Sequence, residues 1–325
     1  MLGMPLDQRP RLVRGPLRHV AVKSQAPENT QEAFLARKVQ RRSRRISFVF
    51  LDLGRSTMRK PLLTAALSSA LCIPAFAQAQ STPEHSLSAN LGLTSNYIFR
   101  GTTQTGGKPA IQGGFDYSHS SGIYLGTWAS NISWLEDFGS YNHSSMEWDF
   151  YGGYKGNFGK SDFSFDVGTI GYIYPGSRNA GVPSADTWEI YAGLGWKFLS
   201  LKYSYALTNY FGAKINNQNT DGTWYLDFGV NYPIGDSGIS VIGHYGILDV
   251  KHDGDTASAT KASYDDWKIG LAYAVPSGML KDVNLGVYYT DTNAKKDSSG
   301  SGFWVDGTGY DTAKSAVVVY VSKSF

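Results

Sequence analysis

The 325-residue chain has a single cysteine, Cys72, and it lies in a segment that reads as a leader. Without it the remainder has no disulfide, no thiolate metal site and no thiol nucleophile. Lipid attachment at Cys72 also fails, because Ser69-Ala70-Leu71 lacks the Leu three positions before the cysteine that a lipobox wants. After residue 80 no run of 18 apolar residues occurs, so no helix is expected to span a membrane. Residues 1–80 contain no Trp and no Tyr. The overall formal charge of +3 does not indicate a nucleic-acid binder, because the basic residues are unevenly spread. Residues 1–80 hold 14 Lys/Arg against 4 Asp/Glu, whereas 81–325 hold 16 against 23.

Three segments follow. Met58-Arg59-Lys60 is a short basic start, Leu62 to Ala77 is apolar, and Ala75-Phe76-Ala77 or Ala77-Gln78-Ala79 offers a small-residue cleavage site. Residues 58–80 therefore read as a secretory signal peptide. Residues 1–57 read as upstream sequence translated ahead of the true start, Met58. Ser43-Arg44-Arg45 suggests a twin-arginine signal, but the apolar run behind it is short and contains Asp52. Residues 81–325 hold 34 of the 37 Gly, all 8 Trp and all 21 Tyr, a composition suited to walls facing lipid on one side and water on the other.

Within that part, apolar and polar residues alternate with period two. Met146, Trp148 and Phe150 alternate with Glu147 and Asp149; Phe163, Phe165 and Val167 with Ser164 and Asp166; Trp224, Leu226 and Phe228 with Tyr225 and Asp227. Such alternation marks strands with one apolar face. Twelve segments qualify: 87–99, 109–118, 122–134, 145–157, 162–174, 186–198, 201–211, 223–232, 238–251, 264–275, 282–291 and 314–325. Each has about the 9–11 residues a tilted strand needs to cross hydrocarbon. Connections alternate short and long, which is the asymmetry of outer-membrane barrels and has no cause in a soluble sandwich. The fold class is all-β, a closed antiparallel transmembrane β-barrel of about 12 strands, in the outer membrane of a Gram-negative bacterium.

Aromatics near strand ends are assigned to two interfacial girdles: Tyr97, Phe99, Trp134, Tyr174, Trp188, Tyr210 and Trp224 at the outer rim, and Tyr117, Tyr124, Phe158, Phe163, Phe198, Tyr203, Tyr232 and Tyr273 at the inner one. The last strand ends on Phe325, which resembles the signal read by the outer-membrane assembly machinery, with Lys323 departing from that pattern. Expected partners are that machinery, outer-membrane lipid and lipopolysaccharide.

One stretch is distinctive. Asn90-Leu91-Gly92-Leu93-Thr94-Ser95-Asn96-Tyr97-Ile98-Phe99-Arg100-Gly101-Thr102-Thr103-Gln104 is followed by Pro109-Ala110-Ile111-Gln112-Gly113-Gly114-Phe115-Asp116-Tyr117 and Ser121-Gly122-Ile123-Tyr124-Leu125-Gly126-Thr127-Trp128-Ala129-Ser130-Asn131. This resembles the TorF family, a proteobacterial outer-membrane family, and the pattern extends over 81–325. The resemblance implies an outer-membrane location and a porin-like role, and implies no particular solute.

Chemistry offers little else. A Ser–His catalytic pair finds no support: His85 precedes the first strand, His119 sits in a turn, His143 and His252 in loops, and only His244 lies mid-strand. No G-x-S-x-G elbow occurs. Asp265-Asp266 and Asp249 with Asp253 and Asp255 read as solvated acidic loops more readily than as a Ca²⁺ site. No cofactor is expected, and the protein is read as a porin-like channel; the alternatives are a lipid-modifying enzyme or a sealed barrel whose loops bind a partner. Pore-lining candidates are Arg100, Gln112, Asp116, Glu147, Asp149, Asp166, Glu189, Asp227 and His244. Arg100 is placed at the outer rim, with Gln104 beyond it as a further contact residue; Lys268, Lys155, Lys197 and Lys202 supply the inward bases. The acidic middle implies cation preference, unless the acids pair across the lumen with these lysines and lock it.

Overall fold

A computed structural model describes residues 83–253, 261–297 and 299–325. The expected leader and upstream extension lie outside the described residues. The chain forms a closed antiparallel barrel of twelve strands. They are β1 (His85–Thr94), β2 (Ala110–His119), β3 (Ile123–Asn131), β4 (Met146–Asn157), β5 (Phe163–Ile173), β6 (Thr187–Trp196), β7 (Leu199–Ala206), β8 (Trp224–Pro233), β9 (Ile239–Asp249), β10 (Tyr264–Ala274), β11 (Val283–Thr292) and β12 (Ala316–Ser324). Each strand pairs with the next in sequence, and β12 closes on β1 through Asn90↔Ser324 to Thr94↔Tyr320. Closure removes every unpaired edge, as lipid requires of a sheet.

Burial is inverted relative to a soluble protein. Leu87, Phe115, Ile269 and Val317 are more than half exposed on the outer face, while Glu147, Glu189, Asp227 and Asp266 are buried inside. A continuous apolar exterior is unfavourable in water and suits a hydrocarbon surround. The period-two pattern produces this directly, because successive side chains point to opposite faces.

Aromatic residues and glycines share the inner face. Tyr151 on β4 lies directly opposite Gly126 on β3, and Tyr320 on β12 opposite Gly286 on β11. In both pairs a Cβ on the glycine would collide with the tyrosine ring. The Tyr and Gly richness is therefore one packing device: a ring lies flat across a neighbouring strand that has no side chain to obstruct it. Gly126→Val should lower the unfolding free energy of the refolded barrel by about 1–3 kcal/mol through overpacking. In a Tyr151→Ala background the same substitution should cost much less in denaturant unfolding; an equal cost would mean the ring is not the obstacle.

Strand positions agree with the alternation, and the main departures lie at the ends that meet long connections. The first strand, expected to reach residue 99, leaves the wall after Thr94. The third stops at Asn131 and gives way to a short helix, α1 (Trp134–Asp137). The seventh stops at Ala206, before a 3-10 turn at Tyr210–Gly212. In each case the following residues fold over the lumen. Tyr97, Phe99, Tyr174 and Tyr210 are consequently buried, not members of the outer girdle, and Tyr124 faces the lumen, not the inner girdle. Trp188, Phe163, Tyr203, Tyr232 and Tyr273 remain exposed on the outside, where interfacial aromatics belong.

Candidate lumen site

The connection between β1 and β2 builds the site. Its two-residue strands Ile98–Phe99 and Thr102–Thr103 pair as a hairpin, with Phe99↔Thr102 closing it. The turn residues Arg100 and Gly101 both have positive φ, 46° and 79°. That combination defines the tightest hairpin turn, which favours glycine at its second position. A side chain on Gly101 would also strike Asp266 on β10 and Thr292 on β11. Asn96 secures the base of the hairpin by accepting the Thr103 hydroxyl, with a further bond from Thr105 at 3.3 Å. The stretch Phe99-Arg100-Gly101-Thr102-Thr103-Gln104 is thus the sequence of an inward-folded tongue.

Arg100 is not at the outer rim. Although it follows β1, its guanidinium reaches β6, almost across the barrel, and meets Glu189 in a two-pronged pair at 2.8 and 2.7 Å. Both side chains are nearly fully buried. The guanidinium also donates to the Tyr210 hydroxyl at 3.3 Å and lies 4.5 Å from the Tyr225 ring centre and 4.8 Å from that of Phe99. Burial raises the Tyr210 hydroxyl to about 12, so it remains a neutral partner. From β10, the Tyr264 hydroxyl donates to the Arg100 carbonyl oxygen at 2.6 Å. Planar two-point pairing of this kind is strong and directional. The tongue is therefore fastened at its tip to two walls. Gln104 is buried in the same tongue, its amide donating to Thr102 at 3.2 Å.

The inward carboxylates are bonded mostly to phenols. Glu147 accepts from Tyr97 at 2.7 Å and Tyr174 at 3.0 Å. Asp166 accepts from Tyr124 at 2.7 Å, and Asp116 from Tyr151 at 2.7 Å. Asp149 is buried with one carboxylate oxygen unpartnered, between cross-strand neighbours Trp128 and Tyr172. Gln112 lies at the wall and donates to Ser130 at 3.3 Å. His244 bridges Asp227 at 2.9 Å and Asp266 at 2.6 Å, and Tyr225 donates to Asp266 at 2.8 Å. Lys268 sits directly opposite His244 on the adjacent strand. The ammonium groups of Lys155 and Lys202 lie over the rings of Tyr124 and Tyr191. The acids are thus held chiefly by tyrosines, Arg100 and His244. A lock made of lysines alone does not describe them, and Lys197 lies at the turn end near Asp162, 3.8 Å away and largely exposed.

Asp266 and the phenols Tyr97, Tyr174, Tyr210 and Tyr225 belong to this network and were not among the expected site residues. Asp266 was legible, since Tyr264, Asp266 and Lys268 alternate on one face of β10. The phenols were not, because their sequence positions match those of girdle aromatics.

Among the described residues one Ser–His contact occurs, His119 Nδ1 with the Ser121 hydroxyl at 2.7 Å, at an exposed turn apart from the lumen network. Both ring nitrogens of His244 face carboxylates, leaving no lone pair to act as base. His85 and His119 lie within β1 and β2, directly opposite each other, not before a strand and in a turn. With Glu84 they could approach one metal ion. However, His119 Nδ1 accepts the Ser121 N–H at 3.1 Å, which fixes its proton on Nε2, the nitrogen facing Glu84. That tautomer is a hydrogen-bond donor and not a ligand. Among the described residues the acidic pair Asp265-Asp266 points two ways: Asp265 bonds Tyr245 on the outside at 2.9 Å, whereas Asp266 faces inward. Asp253 accepts from the backbone of Ala262 and Ser263; Asp255 is outside the described residues.

At the long-connection end, the tongue, α1, residues 210–213 and the last connection enclose a cavity of about 260 Å³. Together these features define a closed twelve-stranded barrel with a charged, tongue-crossed lumen.

The chain belongs to a family described as bacterial protein of unknown function (Gcw_chp), matched over residues 77–325. That description does not carry the TorF name. No curated protein matches the chain. Among solved structures, it is similar to the KdgM porin at 10% identity, covering 73% of this chain and 99% of that one with a TM-score of 0.43. It is also similar to the NanC porin (13% identity, 74% and 99% covered, TM-score 0.44) and to OprD of Pseudomonas aeruginosa (14%, 76% and 68%, TM-score 0.34).

Proposed function

We propose that the protein is a porin-like channel of the Gram-negative outer membrane, passing small solutes or ions passively through a tongue-narrowed lumen with a preference for cations. One observation carries this reading: an exterior fit for lipid encloses an interior lined with charge. Asp116, Glu147, Asp149, Asp166, Glu189, Asp227 and Asp266 face inward against Arg100, Lys155, Lys202, Lys268 and His244. An interior built of charged and polar side chains in place of an apolar core suits a permeation path that the tongue narrows. Twelve strands enclose less space than the 16–18 of wide aqueous porins, and the tongue reduces it further. The outward band would meet lipid and lipopolysaccharide, and the strand ending at Phe325 would be the segment offered to the assembly machinery.

Single-channel recording of the refolded protein in planar bilayers should show small, discrete conductances. In a salt gradient the reversal potential should have the sign of cation selectivity. Asp149→Asn, Asp166→Asn and Asp227→Asn together should move it toward zero; an unchanged potential would remove these carboxylates from the selectivity argument. The completeness of the Arg100–Glu189 pair favours one rival, a barrel sealed by its tongue whose loops bind a partner. That rival predicts no current from the unaltered protein, with current arising only once Arg100 is removed.

A further inference from the structure

The cavity at the long-connection end is lined by five connections far apart in sequence, one of them the β5–β6 connection through Val182 and Ala185. The tongue contributes Phe99, α1 and the residue after it contribute Trp134 and Phe138, the 3-10 turn contributes Phe211, and the last connection contributes Phe303 and Trp304. No charged side chain lines it; Thr103, Gln104, Ser140 and Thr312 are among its polar members. We propose that this cavity is a binding site for a small, uncharged, planar aromatic molecule.

Three observations select that class. The volume, about 260 Å³, lies just below the range of roughly 300–1,000 Å³ typical of ligand pockets, which excludes an oligosaccharide and admits a mono- or bicyclic ring system. The uncharged lining offers nothing to offset the desolvation of an ion, and few groups to satisfy the many hydroxyls of a sugar. The rings already meet edge to face: Phe211 with Phe99 at 5.6 Å and 83°, Phe211 with Trp134 at 6.4 Å and 90°, and Trp134 with Phe138 at 6.4 Å and 76°. Ring quadrupoles favour such arrangements, and a further aromatic ring is the guest that extends them.

Phe211 points the same way. Its backbone is left-handed, with φ 48° and ψ 41°, a conformation unfavourable for a non-glycine residue. Its ring stands at the centre of contacts to Phe99, Trp134, Tyr172, Tyr174 and Tyr210, which hold it there. Strained residues held by their surroundings are found at ligand clamps. Phe99 is also the residue before Arg100, so the cavity adjoins the tongue's fastening point.

The test uses the full barrel refolded in detergent and does not depend on whether it conducts. Indole is the probe, with tryptamine and indole-3-acetate as its cationic and anionic counterparts, followed by saturation-transfer NMR and calorimetry. Indole should bind saturably at one site, with both charged analogues about tenfold weaker or worse. Ala213→Trp and Val182→Trp, which fill the cavity from two different connections, should each abolish binding while strand circular dichroism is retained. Phe211→Ala should weaken it. Absence of saturable indole binding, tryptamine binding as tightly as indole, or binding that survives both filling substitutions would each overturn the proposal.

Discussion

Arg100→Ala is expected to raise single-channel conductance several-fold and to make the current noisier. The substitution removes both prongs to Glu189, the bond to Tyr210 and the stack on Tyr225. What remains at the tip is the Tyr264 bond to the Arg100 carbonyl oxygen, a backbone contact. A hairpin of two-residue strands has no independent stability, so the tongue should leave its seat for part of the time and widen the path. Glu189 would be left as a buried carboxylate with the Tyr172 phenol at 3.4 Å as its remaining partner, and breaking a buried pair from one side costs about 3–5 kcal/mol. Arg100→Ala with Glu189→Gln separates the two effects. The double variant should regain most of the lost stability yet stay open, because stability follows the unpaired charge and conductance follows the tongue. Adding guanidinium ion to Arg100→Ala should lower its current again, and should do so much less in the double variant. A conductance in Arg100→Ala equal to that of the unaltered protein would show that the tongue does not limit flow.

The barrel wall was legible because its physics is local. Alternation such as Trp148, Asp149, Phe150 fixes which side of one strand meets lipid, and each strand repeats the rule. All twelve strands occur in the expected order, and those followed by tight connections end within about two residues of expectation. The lumen was legible by half. The inward direction of Glu147, Asp149, Asp166, Glu189 and Asp227 follows from the same alternation, and their burial agrees with it. Their partners did not follow, because a hydrogen bond between Tyr97 and Glu147 joins residues 50 apart, and no periodicity encodes such a distance. The tongue escaped for a related reason. Ser95-Asn96-Tyr97-Ile98-Phe99 continues the apolar content of β1, so it reads as more strand. The signal that could have ended the strand was Arg100-Gly101, a pair suited to two successive positive φ angles. Aromatics gave the same ambiguity: a Tyr near a strand end serves equally as an interfacial anchor outside or as a phenol donor inside. Only the position of the carboxylates across the lumen decides between them.

The second large effect is expected at His244. Its two ring nitrogens stand 2.9 Å from Asp227 and 2.6 Å from Asp266, and all three side chains are less than a tenth exposed. Two carboxylates bridged in this way require N–H donors on both nitrogens, so the imidazole acts as a cation between two anions. His244→Leu keeps a side chain of similar bulk and removes that charge. Asp227 and Asp266 would then share one site with the Tyr225 hydroxyl and Lys268 as the remaining neighbours. A loss of about 3–5 kcal/mol in unfolding free energy follows from leaving buried charge uncompensated, measurable as a fall in the urea midpoint of tryptophan fluorescence in lipid vesicles. Replacing one anion as well, by Asp266→Asn, should restore much of it, since the remaining Asp227 is then balanced by Lys268. The sign of the coupling is the decisive quantity: the double variant should be more stable than His244→Leu alone although it carries more substitutions. Additive losses instead would mean that the imidazole contributes packing and not charge. The same variant bears on permeation. With the cation gone and both carboxylates retained, the lumen becomes more negative at mid-depth, and the preference for cations should rise above that of the unaltered protein. A fall in that preference would contradict the carboxylate-lined path, whatever the unfolding data showed.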